Sequence, residues 1–86
     1  MNIFITGGTS GIGLALARFY AAEGHRVGVC GRNMARIDRS DEVNKLLLAY
    51  QLDVCDKDAL TAAVKVFCAD KGLDMMIVAA GYYRNG

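Results

Sequence analysis

The sequence predicts an α/β fold with a doubly wound parallel sheet, of which it supplies the first half. Three observations carry that prediction. Short β-rich runs alternate with segments of helical period along all 86 residues. The runs are almost continuously apolar, as strands buried on both faces are. No linker, repeat or low-complexity tract interrupts the alternation. The order βαβαβαβ calls for a parallel sheet covered by helices. Right-handed crossovers put the first two helices on one face if the first three strands advance in one direction. A fourth strand returning to the other side of the first then gives the strand order 3-2-1-4, with its helix on the opposite face.

The first strand is Asn2-Ile3-Phe4-Ile5-Thr6, which runs into a glycine-rich turn. A helix follows from about Ile12 to Glu23, with Ile12, Leu16 and Phe19 a turn apart along one face. Gly24 stops it, since glycine accepts the left-handed conformation that often ends helices. Arg26 to Cys30 reads as the second strand, broken by Gly31. A shorter helix near Asn33–Arg39 carries Met34 and Ile37 on one side, and the polar stretch Ser40–Asn44 leads to a third strand near Leu46–Leu52. Asp56 is suited to cap the next helix, in which Leu60, Ala63, Val64, Phe67 and Cys68 follow the i, i+3, i+4, i+7, i+8 pattern. Gly72 ends that helix, and Asp74 introduces the last apolar run, Met75–Ala80.

Residues 1–86 make one small domain. Folding at this size hides only about 60% of the chain's surface, so stability is marginal. Apolar residues make up 53% and charged residues 22%, which argues against disorder. A net charge of +1 without basic runs excludes an electrostatic surface for nucleic acid or an acidic membrane. No apolar stretch approaches the ~20 residues that span a bilayer. The apolar run begins at Ile3, which leaves no room for a basic leader and cleavage site after Met1. Cys30, Cys55 and Cys68 are odd in number and far apart, and His25 is the single histidine. That pattern argues against a disulfide framework or a zinc site and for buried, reduced thiols, which suits the cytoplasm.

The sharpest signal is Thr6-Gly7-Gly8-Thr9-Ser10-Gly11-Ile12-Gly13, between the first strand and the first helix. A pyrophosphate binds where backbone N–H groups and a helix N-terminus meet it without intervening side chains. Glycines at 7, 11 and 13 suit a tight turn, close backbone approach and tight helix–sheet packing, while Thr9 and Ser10 offer hydroxyl donors. The spacing is not G-x-G-x-x-G, and no Gly-Lys-Ser/Thr follows to make a P-loop. Glycines alone could equally be turn-makers in any α/β domain, so the flanking strand, helix and later segments decide the reading.

The T-G-x-x-x-G-I-G pattern resembles that of the short-chain dehydrogenase/reductase family, whose fold is Rossmann-like, and the resemblance extends over essentially the whole chain. Leu52-Asp53-Val54 is similar to the family segment in which the aspartate contacts adenine, with Val54 packing beside it. Leu73–Gly81 is similar to the family's fourth strand, which typically ends Asn-Asn-Ala-Gly; here Val78 and Ala79 replace the asparagines. The resemblance implies that the Ala79-Ala80-Gly81 backbone lines the nicotinamide ribose, without the side-chain hydrogen bonds that brace this corner. NAD-specific relatives place an acidic residue about 20 positions beyond the glycines. Gly31 stands there, followed by Arg32, whose planar fork suits a 2′-phosphate. Such charge-assisted bonds contribute roughly 1.5–3 kcal/mol, so NADP is expected over NAD. The candidate cofactor-binding residues are therefore Gly7, Thr9, Ser10, Gly11, Ile12, Gly13, Arg32, Asp53, Val54, Ala79, Ala80 and Gly81.

The resemblance also implies chemistry by a tyrosine with a lysine four residues later and an upstream serine, the lysine's charge lowering the tyrosine pKa. No tyrosine here meets that spacing: Tyr20 is followed at that distance by Gly24, Tyr50 by Val54 and Tyr82 by Gly86, while for Tyr83 the position falls beyond the sequence. His25 reads as a surface residue near a helix C-terminus, and Tyr82 and Tyr83 as exposed rings. Three functions compete. One is a nucleotide-binding segment of an oxidoreductase, inactive alone because the Ser/Tyr/Lys half is missing. Another is a non-catalytic module that binds NADP or pairs with another chain. The third is a reductase completed by a separate chain. An apolar fourth strand without a neighbour favours self-association or a second chain at its edge.

Overall fold

Successive strand residues point to opposite faces of a sheet, and among the described residues one helix packs on each face. The computed structural model describes residues 1–7, 11–32, 37–38, 40–53, 55–69 and 71–78. Among them, β1 (Asn2–Thr6), β2 (Arg26–Gly31), β3 (Leu48–Gln51) and β4 (Met75–Val78) form one sheet; α1 (Gly11–Ala22) joins β1 to β2, and α2 (Lys57–Cys68) joins β3 to β4. The order is β3-β2-β1-β4, as expected, and every pairing is parallel. Phe4 lies in register with Gly28 and Met76, and Thr6 with Cys30 and Val78.

Ile3, Ile5, Val27 and Val29 pack with Ala17 and Ala21 of α1 and with Ile37 and Leu47 of the β2–β3 crossover. Phe4 and Cys30 point the other way and pack with Ala63 and Phe67 of α2. Fully burying one such large side chain contributes about 1.5–3 kcal/mol, which makes β1 and β2 the centre of the fold. Glycine at position 28 is a packing requirement. A Cβ there would lie 2.7 Å from Phe67 Cδ1 and 2.9 Å from Phe4 Cδ1, so its absence makes room for the two rings.

The α1 core face differs from the expected one. Its buried residues are Gly13, Ala17 and Ala21, whereas Ile12 is 78% and Phe19 59% exposed. The small residues recur every four positions and so share one face, along which the helix approaches the sheet closely. In α2 the expected periodicity holds, and Asp56 accepts from the Ala59 amide at 3.1 Å as the cap. This helix ends at Cys68, with Ala69 at φ 39°, ahead of Gly72. β2 runs one residue further than expected, through Gly31, and β3 is shorter. Leu46 belongs instead to a 3₁₀ turn at Asn44–Leu46, because the Asp41 carboxylate accepts from the Val43 and Asn44 amides at 2.8 and 3.1 Å. Of the expected helix near Asn33–Arg39, residues 33–36 and 39 lie outside the described residues, and Ile37 and Asp38 are not helical. The three cysteines are free thiols, but only Cys30 is buried; Cys55 is exposed in the turn before α2, against the expected burial. Burial pushes the Cys30 thiol up, partly offset by the Gly7 backbone, which keeps it protonated at neutral pH. Among the described residues, no helix is long and apolar enough to cross a membrane.

A polar latch ties α1 to the crossover. Arg18 Nη1 lies 2.8 Å from Asp41 Oδ1 and donates to Asn44 Oδ1 at 2.8 Å. The buried Asn44 amide donates to the Asp38 carbonyl at 2.9 Å. Hydrogen bonds from Arg18 and the Asn44 backbone N–H hold the Asp41 carboxyl below its ordinary value of 3.8, and the Ser40 hydroxyl and backbone N–H do the same for Asp38. A lowered carboxyl contributes stability that is fully present above the unfolded value and lost as pH falls through the folded one. The latch is therefore expected to stay closed down to pH 3.8 and to open below it. Side-chain carboxyl NMR titration measures this directly, and midpoints at or above the ordinary value for both aspartates would contradict it.

Candidate cofactor-binding site

Parallel strands bring all their C-terminal ends to one edge of the sheet, where the segments that follow them can converge on a ligand. Gly7 after β1, Gly31 and Arg32 at the end of β2, and Leu52 and Asp53 after β3 meet at that edge. Two backbone hydrogen bonds draw them together: the Gly7 amide donates to the Cys30 carbonyl at 2.8 Å, and the Leu52 amide donates to the Gly31 carbonyl at 3.0 Å.

Gly7 has φ 78° and Gly11 φ 61°, conformations that suit glycine and are strained for other residues. A Cβ at Gly11 would meet no atom of the described residues within 4 Å. Gly11 and Ile12 are exposed there, and the first turn carries no acidic residue. Among the described residues no carboxylate competes at this helix N-terminus, where a phosphate group is favoured. Gly13, two residues further along the same turn, is buried. The residues present therefore fit the pyrophosphate of a dinucleotide. Arg32 is exposed beyond the buried Gly31. Asp53 is exposed too, and its Oδ1 accepts from the Cys55 amide at 2.9 Å while its carbonyl accepts from the Asp56 amide at 2.8 Å. These bonds orient its carboxylate at the strand end. Six candidate residues, Thr9, Ser10, Val54, Ala79, Ala80 and Gly81, lie outside the described residues.

Thr6 was not among the expected site residues, yet it is 4% exposed at this edge and its Oγ1 has no hydrogen-bond partner among the described residues. Buried hydroxyls normally have a partner. The signal was available, because Thr6 opens the T-G-x-x-x-G-I-G pattern. His25, by contrast, stands at the opposite end of the strands, 3.0 Å from the Met1 amino group and beside the Tyr20 ring.

A parallel 3-2-1-4 sheet with helices packed on it defines a Rossmann-like fold. The chain belongs to the short-chain dehydrogenase family, whose model, described as short chain dehydrogenase, matches residues 1–86. It is 36% identical over 88 residues to the 3-dehydrosphinganine reductase TSC10A of Arabidopsis thaliana, covering 95% of this chain and 26% of that protein. It is 34% identical to the Dichelobacter nodosus protein named "Probable NADP-dependent dehydrogenase in aabA 3′ region", covering 94% of this chain and 78% of that one. The structure of L-sorbose reductase from Gluconobacter frateurii, complexed with NADPH and L-sorbose, matches with a TM-score of 0.80 at 28% identity, covering 99% of this chain and 35% of that one. A 3-ketoacyl-(acyl-carrier-protein) reductase of the same fold was solved with NADH. The chain thus spans about a quarter to a third of the length of most of these relatives.

Proposed function

We propose that residues 1–86 are the NADP(H)-binding segment of an oxidoreductase that interconverts a carbonyl and an alcohol, and that alone they transfer no hydride. The observation that carries this reading is the end of β2, where the buried Gly31 leaves the position without a carboxylate and Arg32 is exposed beside it. A carboxylate there would accept from a ribose 2′-OH and repel a 2′-phosphate; a guanidinium grips that phosphate. The dinucleotide, when bound, supplies or accepts the hydride. The chain's part is to hold it: Gly7, Gly11, Ile12 and Gly13 with the Thr9 and Ser10 hydroxyls at the pyrophosphate, Asp53 and Val54 at the adenine, and the Ala79-Ala80-Gly81 backbone at the nicotinamide ribose. Relatives named for NADP or solved with NADPH support the choice of cofactor. Inactivity rests on the sequence, which has no tyrosine followed four positions on by lysine.

Titration of the 86-residue chain with NADPH and NADH tests the reading. The phosphorylated cofactor should bind more tightly, and Arg32→Ala should erase most of a preference of about tenfold to a hundredfold. Equal affinities in the unmodified chain would contradict the role of Arg32. In the same preparations, NADPH oxidation with a carbonyl substrate present should stay at the buffer level.

One observation favours a second reading, a non-catalytic module that pairs with itself or another chain. β4 ends the sheet with no further strand beside it among the described residues, and Met76 and Val78 are 42% and 71% exposed.

A further inference from the structure

We infer that Arg18 is a positioning residue for Arg32: by clamping Asn44 and Asp41 it anchors the β2–β3 crossover at Asp38, and through that anchor sets the preference for a 2′-phosphate. The inference rests on the reading of Arg32 given above and extends it to a residue on a different element.

A guanidinium fork discriminates only when both of its donors are held in register with the phosphate oxygens. Misplacement by about 1 Å is enough to lose much of such an interaction. Arg32 itself is exposed, so its placement depends on how the backbone is held on either side. Upstream, the Gly31 carbonyl is fixed by the Leu52 amide at 3.0 Å. Downstream, Ile37 is 3% exposed in the core under α1. Next to it, the Asp38 carbonyl accepts from the Asn44 side chain at 2.9 Å and from the Asp41 amide at 3.1 Å.

Asn44 is the keystone of that downstream anchor. It is 4% exposed, and both ends of its amide are used: Nδ2 on Asp38, Oδ1 on Arg18. A buried amide that loses one partner is costly, so the crossover keeps this arrangement only while Arg18 supplies the donor. Arg18 also closes the network onto Asp41 at 2.8 Å. The glycine turn is braced separately, by the Gly7 amide on the Cys30 carbonyl at 2.8 Å. Loosening the latch should therefore weaken contact with the 2′-phosphate and spare contact with the pyrophosphate. NAD lacks that phosphate, so its affinity should not move.

The test measures NADPH and NADH dissociation constants for the unmodified 86-residue chain, Arg18→Gln, Arg18→Lys, Asn44→Ala and Arg32→Ala, each with a thermal midpoint. Arg18→Gln should cut the NADPH-over-NADH preference by about fivefold or more, as expected when one hydrogen bond of the fork is misaligned, with NADH affinity unchanged. Arg18→Lys, which keeps a charged donor, should recover part of it. Asn44→Ala removes a buried group and can fail to fold, so the half-exposed Arg18 carries the test. A preference that persists in Arg18→Gln but falls in Arg32→Ala overturns this inference and leaves the reading of Arg32 intact. Affinity for both cofactors falling together in Arg18→Gln makes the latch a purely structural device and also overturns it. An unmodified chain that shows no preference, or binds neither cofactor, overturns both.

Discussion

Phe67→Ala should destabilise the domain by about 3–5 kcal/mol, the range for truncating a buried aromatic ring. A domain of this size has roughly 0.05–0.15 kcal/mol of stability per residue, so that loss is enough to unfold much of the population. Phe67 is fully buried, with its ring 5.4 Å from that of Phe4. The Arg26 guanidinium lies 4.2 Å from the ring centroid, and its Nη1 donates to the Phe67 carbonyl at 2.6 Å. The absence of a Cβ at Gly28 shapes the strand around both rings, so residue 28 has no side chain to fill the cavity. Urea unfolding at neutral pH measures the loss, with Val66→Ala as control. Val66 precedes Phe67 on the same helix but is 65% exposed, and its truncation should change stability by about 0.5 kcal/mol or less. A midpoint for Phe67→Ala no lower than the control's would remove Phe67 from the centre of the core.

The same residue shows what the sequence made legible. Phe67 falls on the 60, 63, 64, 67, 68 pattern, and the structure buries or half-buries all five positions. The four strands and their order followed from the alternation of apolar runs with helical segments, because chain direction and crossover geometry leave few arrangements. In α1 the pattern misled, since nearly every residue is apolar and hydrophobicity cannot choose a face. Size chose it: Gly13, Ala17 and Ala21 let the helix approach the sheet, and Phe19 is left outside. The latch was invisible for a different reason. Arg18, Asp41 and Asn44 are ordinary polar residues in sequence, and only the fold brings residues 26 positions apart to 2.8 Å. At the candidate site, Gly7, Gly11 and Gly13 stand out by spacing; Thr6 opens the same pattern, but its burial with no hydroxyl partner among the described residues is visible only in the fold.

Replacing Val78 by lysine should abolish most self-association of the 86-residue chain. β4 pairs with β1 on one side, and among the described residues nothing pairs with the other. Natural sheets blunt such edges with charge, proline or bulges. Met75-Met76-Ile77-Val78 carries no charge, and the whole chain has no proline. Met76 and Val78 share the α2 side of the sheet, in register with Phe4 and Thr6, and remain 42% and 71% exposed. Fully burying each would contribute about 1.5–3 kcal/mol, so covering both by a second copy gives a sizeable driving force for pairing. Lysine at 78 puts a charge on that edge while leaving the core untouched, because Val78 already faces solvent. The dissociation constant should rise by about tenfold or more, the equivalent of 1.4 kcal/mol. Ile77 is the wrong position for this test: it packs against the α1-side core, and lysine there should unfold the domain. Leu48→Lys, at the opposite edge on β3, serves as the control and should leave association unchanged. Sedimentation velocity across micromolar concentrations reads all three chains. If the unmodified chain runs as a single stable monomer, or Leu48→Lys dissociates it as well as Val78→Lys does, then β4 is not the pairing edge.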